Sequence, residues 1–272
     1  MNVLAPEDIE LNKKRAVLER LKERLAIREE EMVELRAELE QIQANYTMEV
    51  GRYYAELDEI EAQIAEEELK LVPDDEEIKK KVEEARRRAE ESAAATEEAQ
   101  NCNNKWNHTE ESKKAYHKLA RLIHPDLAID ADERARRHVL MAKLNDAYSV
   151  GDQNLLNKLV DEYRDSPDYI IGDTIGDQLV KGIRQISQVK ARLQELESER
   201  VNAELSEPYN LREKVRSEQL EGRNYFKQVA ERTKTFILKS QRRLENLRNL
   251  NVAQEDYVKE RFGVDISEFR EH

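Results

Sequence analysis

Eight residues in one short stretch carry the clearest chemical potential of this sequence: Lys113, Lys114, His117, Lys118 and Arg121, then His124, Pro125 and Asp126. On a helix turning about 100° per residue, Tyr116, Leu119, Ala120 and Ile123 form one apolar stripe. Lys114, Lys118 and Arg121 fall together on the opposite side, with Lys113 and His117 at the flank. The spacing predicts cations displayed to solvent, where they attract acid by charge and perform no bond chemistry of their own. Pro125 biases His124 away from the α region and removes a backbone donor, so the helix is expected to stop at Ile123 and the tripeptide to sit in an exposed loop.

Other candidates are weaker. Cys102, Trp106 and His108 offer one thiol and one imidazole, an incomplete set for a metal. His138, among Arg134, Arg136 and Arg137, reads as a solvated surface residue. Gly172 and Gly176 in IIGDTIGD lack the Lys-Ser/Thr pair and the preceding strand of a phosphate loop, and read as a linker or helix start. No nucleophile stands with a base and no pocket acids are paired, so an enzyme is not expected, nor a cofactor or metal.

The elements that must position these residues are helices. Of 272 residues, 39% are charged and 39% hydrophobic, with only seven glycines and five prolines, too few turns for a many-stranded sheet. The formal charge of −13 is lopsided: residues 1–100 hold 16 Lys and Arg against 29 Asp and Glu, while residues 101–272 hold 30 of each sign. An acidic arm and balanced later segments make nucleic acid a poor partner. One cysteine suits a reducing compartment, and neither a signal peptide nor an 18-residue apolar run is visible, so a cytoplasmic location without membrane contact is expected.

A seven-residue step from Leu11 lands on Leu18, Leu25, Met32, Leu39, Tyr46 and Tyr53, the seam of a coiled coil, with a stutter onto Leu57, Ile60, Ile64 and Leu71. Pro73, Asp74 and Asp75 mark a bend, and residues 76–100 are expected to fold back antiparallel on the first helix. Leu179, Ile183, Ile186, Val189, Leu193 and Leu196 mark a second rod, interrupted at Ser206, Glu207 and Pro208, and read as a hairpin or a long bent helix. Arg28 and Arg200 lie within these seams and need acidic partners. Between the rods the heptads stop. Thr109 or Ser112 can cap the basic helix, Asp130 and Glu133 read as a capping box, and Leu140, Leu144, Ala147 and Tyr148 face inward from an antiparallel partner helix ending at Gly151.

The stretch KKAYHKLARLIHPD, followed by KLNDAYSVGD, resembles the J domain of the DnaJ family of co-chaperones over about residues 109–164. The resemblance implies a docking helix carrying Lys113, Lys114, His117, Lys118 and Arg121 and a trigger formed by His124, Pro125 and Asp126. The partner it implies is a DnaK-type heat-shock chaperone whose ATP hydrolysis the trigger stimulates. The cations would steer the encounter, Pro125 would stiffen the loop, and Asp126 would pair with a partner arginine. The short first helix of the family, the basic motif of its fourth helix, its Gly/Phe linker and its zinc-binding cysteines are missing.

The expected fold is therefore all-α, with long helical hairpins or coiled coils flanking a small J-domain-like module. The order is an acidic arm over 1–105, the module over 106–165, a linker over 166–177, a second hairpin over 178–250 and a helical tail over 251–272. The expected function is an adaptor that recruits the chaperone to a client held by the coiled coils; the alternative is a coiled-coil scaffold whose module no longer couples to a chaperone. Dimerisation through a rod is compatible with either. An acidic arm joined to a cationic helix can also fold over it and mask it.

Overall fold

The computed structural model describes residues 5–101, 109–128, 130–163 and 174–263. Every regular element among them is helical, as the pattern of the sequence predicts: α1 (Pro6–Tyr46), a π turn (Thr47–Gly51), α2 (Arg52–Leu71), α3 (Glu76–Asn101), α4 (Glu110–Ile123), a 3-10 turn (Pro125–Leu127), α5 (Ala131–Ser149), α6 (Gln153–Tyr163), α7 (Ile175–Glu204), α8 (Glu207–Leu220) and α9 (Tyr225–Phe262). None of these helices is long and apolar enough to cross a membrane. Cys102, Trp106, His108 and Gly172 lie outside the described residues, as do most of the 166–177 linker and the last nine positions of the expected tail.

The chain folds into two compact units, and both are discontinuous. The first takes residues 1–41 and 104–210, the second 42–103 and 211–272. The expected 1–105 arm is thus divided. Residues 76–100 do fold back after Pro73, onto α2, while most of α1 belongs with α4, α5 and α6. The expected 178–250 hairpin is divided likewise, α7 packing in the first unit and α9 in the second. A heptad pattern specifies which face of a helix is buried and leaves the identity of the covering helix open.

In the first unit, Tyr116, Leu119, Ala120 and Ile123 of α4 meet Met141, Leu144, Ala147 and Tyr148 of α5, Leu156 and Leu159 of α6, and Ala26 and Val33 of α1. A neighbouring cluster joins Leu18, Leu25 and Met32 of α1 to Val189 and Leu196 of α7 and to Leu127 of the 3-10 turn. Helix starts follow local chemistry. The Thr109 hydroxyl accepts from the Ser112 amide at 3.1 Å, and the Ser112 hydroxyl accepts from the Thr109 amide at 2.9 Å, freeing neither donor to stay unpaired. Asp130 caps α5 by accepting from the Glu133 amide at 2.7 Å, and Thr174 with Asp177 caps α7, so Gly176 sits in a helix start and not a phosphate loop. Arg28 and Arg200, the charges within the seams, both reach Glu31, at 2.6 and 3.7 Å.

In the second unit, Ile60 and Ile64 of α2 pack on Ile237 and Leu244 of α9, with Tyr53, Leu57 and Leu247 around them. The α2–α3 hairpin is stitched mostly by polar groups: Arg86 pairs with Glu59 and Glu66, Arg88 with Asp58 and Glu61, and the Ser92 hydroxyl donates to Asp58. Asp75 caps α3, accepting from the Glu77 amide at 2.8 Å.

Candidate functional site

The eight residues singled out by type and spacing all lie along α4 and the turn that follows it. α4 stops where proline dictates: His124 has φ −60° and ψ 129°, an extended conformation, and Pro125 opens the 3-10 turn leading to α5. Antiparallel α4 and α5 are held by Tyr116 and Tyr148, whose ring centroids are 4.6 Å apart, and by the Tyr116 hydroxyl donating to Asn145 Oδ1 at 2.9 Å. Arg137 of α5 donates to the carbonyls of Leu122 and His124 at 3.1 and 3.4 Å, satisfying acceptors that the end of α4 leaves open.

The loop is where the sequence predicts it, yet it is not exposed. His124 retains 3% of its surface and Pro125 is also buried; only Asp126 is partly accessible. The cover comes from α1 and α7. His124 Nε2 lies 3.2 Å from Glu29 Oε1, and Arg192 Nε of α7 donates to the same oxygen at 2.7 Å. Since the Asp126 amide donates to His124 Nδ1 at 3.2 Å, the tautomer with its hydrogen on Nε2 satisfies both contacts. Burial by itself raises the Glu29 carboxyl, but the bonds from His124 and Arg192 outweigh it and hold the group below the usual carboxylate range. Arg192 also reaches Glu199 at 2.7 Å. Gln185 of α7 donates to the Leu127 carbonyl at 2.9 Å.

The cationic helix is only partly displayed, which corrects the expectation of a solvent-facing row. Lys113 pairs with Glu34 at 2.9 Å, His117 with Glu30, and Arg121 with Glu23 at 2.5 Å and Glu19 at 3.2 Å. Going up α4 the partners descend α1, so the two helices form an antiparallel charge ladder with rungs about one turn apart on α4 and about one and two turns apart on α1. The bond to Glu34 raises the Lys113 pKa. The Tyr148 hydroxyl lies 2.8 Å from Glu30 and 2.9 Å from Glu34, within donating distance of both. Lys114 and Lys118 remain exposed and, among the described residues, make no ion pair. They border an open cleft of about 540 Å³, together with Lys22, Arg121, Arg137 and Gln185.

Sequence reasoning missed Glu29, Glu30, Glu34 and Arg192. A signal was present: Glu19, Glu23, Glu30 and Glu34 stand 4, 7 and 4 positions apart, an acidic stripe beside the leucine seam. Arg192 has no comparable local signature, because its role depends on where α7 packs. Among the described residues no group of three or more His, Cys, Asp or Glu is placed to hold a metal ion. A scan against protein-family models, a search among curated proteins and a search among solved structures each return no match.

Proposed function

We propose that this chain is a cytoplasmic adaptor that recruits a DnaK-type heat-shock chaperone through the α4–α5 module and stimulates its ATP hydrolysis, with the remaining helices holding a client. The observation that carries the reading is the His124-Pro125-Asp126 turn at the tip of two antiparallel helices, one of them cationic. In this reading the chemistry belongs to the partner, and the module shifts the partner's conformational equilibrium. Lys114 and Lys118 are accessible for a first electrostatic encounter. Asp126 can form a charge-assisted bond to an arginine of the partner.

A second reading is favoured by the burial of His124 beneath Glu29 and Arg192: a structural scaffold in which the module is a packed spacer. Single-turnover ATP hydrolysis by the DnaK-type chaperones of the same cell separates the two. The adaptor reading expects acceleration by the full chain, its loss in His124→Gln, and weakened association at moderate salt in the double variant Lys114→Glu, Lys118→Glu. Equal hydrolysis rates with wild type, with His124→Gln and without either protein would leave the scaffold. Arg121 is omitted from the charge reversal because it is already engaged by Glu19 and Glu23.

A further inference from the structure

We propose that the acidic face of α1 is a built-in competitor for the module's docking surface, so that the chain is closed until a partner presenting acidic groups of its own exchanges for the α1 carboxylates. This rests on the adaptor reading and adds its regulation. Three observations carry it. The ladder is ordered: Lys113, His117 and Arg121, one turn apart on α4, are met in reverse order by Glu34, Glu30 and Glu23, so the contact is a matched face and not a scatter of surface pairs. The trigger is closed in the same way, His124 being covered by Glu29, which Arg192 holds from α7. The closure is also incomplete, since Lys114 and Lys118 stay accessible beside an open cleft. Accessible cations next to occupied ones allow an acidic visitor to bind first at the free positions and then exchange for the carboxylates of α1, without a fully bare surface ever being required.

The energetics suit a switch. The outer pairs, Lys113 with Glu34 and Arg121 with Glu23, are partly exposed, each contributing little and each replaceable by an equivalent pair with a partner, while Glu30 in the middle rung is buried and also accepts from Tyr148. Ala26 and Val33 of α1 join the apolar cluster of the module, and its leucine seam packs with Val189 and Leu196 of α7 and with Leu127 of the turn. A competitor for the cations has to replace the charge contacts at α4, with these apolar contacts left in place.

Removing α1 altogether would strip both apolar clusters, so the test uses charge alone in the full chain: Glu19, Glu23, Glu30 and Glu34, each changed to Gln. Two readouts are needed. Carbethoxylation of His124, followed by mass spectrometry, reports opening without any chaperone; single-turnover hydrolysis by the ATP-loaded chaperone reports docking. The expected result is about a tenfold gain in both rates over wild type, with the gain in hydrolysis abolished when His124→Gln is added. Circular dichroism confirms that the variant remains helical. Equal stimulation by wild type and the four-Gln variant, both dependent on His124, would overturn the inhibition and keep the adaptor. Faster labelling of His124 with no hydrolytic response in either protein would overturn the adaptor reading, and the inhibition with it. Labelling equally fast, or equally slow, in both proteins would show that these carboxylates do not close the site.

Discussion

At the residue scale the decisive group is Glu29, a carboxylate buried between an imidazole and a guanidinium. Its folded-state pKa lies below the ordinary value, so its contribution is present above the pH where an unfolded glutamate ionises, about 4.3, and is lost as pH falls through the lower folded value. Glu29→Gln keeps the shape and removes the charge-assisted bonds, for a predicted loss of about 1.5–3 kcal/mol at pH 7. Urea denaturation of wild type and variant should show this gap at pH 7 and at pH 5, and show it closing below about pH 4; a gap independent of pH would mean that the charge is not what Glu29 supplies. The paired tyrosines make a second comparison. Burial raises both phenols, and the Glu30 and Glu34 carboxylates raise Tyr148 further, so both hydroxyls act as neutral donors. Tyr148→Phe loses a bond to a charged acceptor, about 1.5–3 kcal/mol, whereas Tyr116→Phe loses a neutral bond to Asn145, about 1 kcal/mol. The order should be plain in denaturation midpoints, and its reversal would contradict the assigned partners. That both tyrosines are core residues is legible from their helical spacing. Their acceptors are not, because Glu30 and Glu34 lie more than a hundred positions from Tyr148 in sequence.

At the element scale, what the sequence states most clearly is where helices begin, break and bury a face. Leu11, Leu18, Leu25, Met32 and Leu39 are all buried, Pro73 does mark a bend, and Ser206 with Pro208 does separate two helices. A further break, before α9, divides the expected second rod, and Gly222, with φ 74°, and the capping Asn224 both announce it. The stutter expected beyond Tyr53 is preceded by a different device, the π turn Thr47–Gly51, which takes up one extra residue per turn and re-aims the helix so that Val50 is fully buried. Gly51 is the last residue of this turn. A Cβ there would stand 3.1 Å from the Thr47 methyl and 3.4 Å from the Thr96 hydroxyl of α3. Gly51→Ala gains up to about 1 kcal/mol of helix propensity against that crowding and should be close to neutral. Gly51→Val adds two methyl groups to the same gap and should destabilise by about 1–3 kcal/mol. Urea midpoints of the two variants decide it: equal stability would show that the gap between the π turn and α3 has room to spare.

At the scale of the whole molecule, chain order and packing order differ, and this is the part a linear reading could not supply. Charge composition divides the sequence near residue 100, but each compact unit draws one segment from either side of that point. Long amphipathic helices have interchangeable apolar stripes; which stripe covers which is fixed by details such as the ladder between α1 and α4, the clamp of Arg192 on Glu29, and the isoleucines shared by α2 and α9. The consequence is a prediction about cutting the chain. A fragment of residues 102–272 keeps every residue of α4 and of the His124-Pro125-Asp126 turn, and on a linear view it should fold as a small helical unit plus a rod. In the structure it loses Leu18, Leu25, Ala26, Met32 and Val33 from the first unit and Ile60 and Ile64 from the second. At about 1.5–3 kcal/mol for each fully buried large aliphatic side chain, the loss rivals the 5–15 kcal/mol that keeps a typical domain folded. The fragment should therefore have lower helicity per residue than the full chain by circular dichroism and melt over a broad range, and adding residues 1–101 as a separate chain should restore both helicity and a sharp transition. A fragment that melts as sharply and as late as the full chain would mean that the two cores do not depend on α1 and α2.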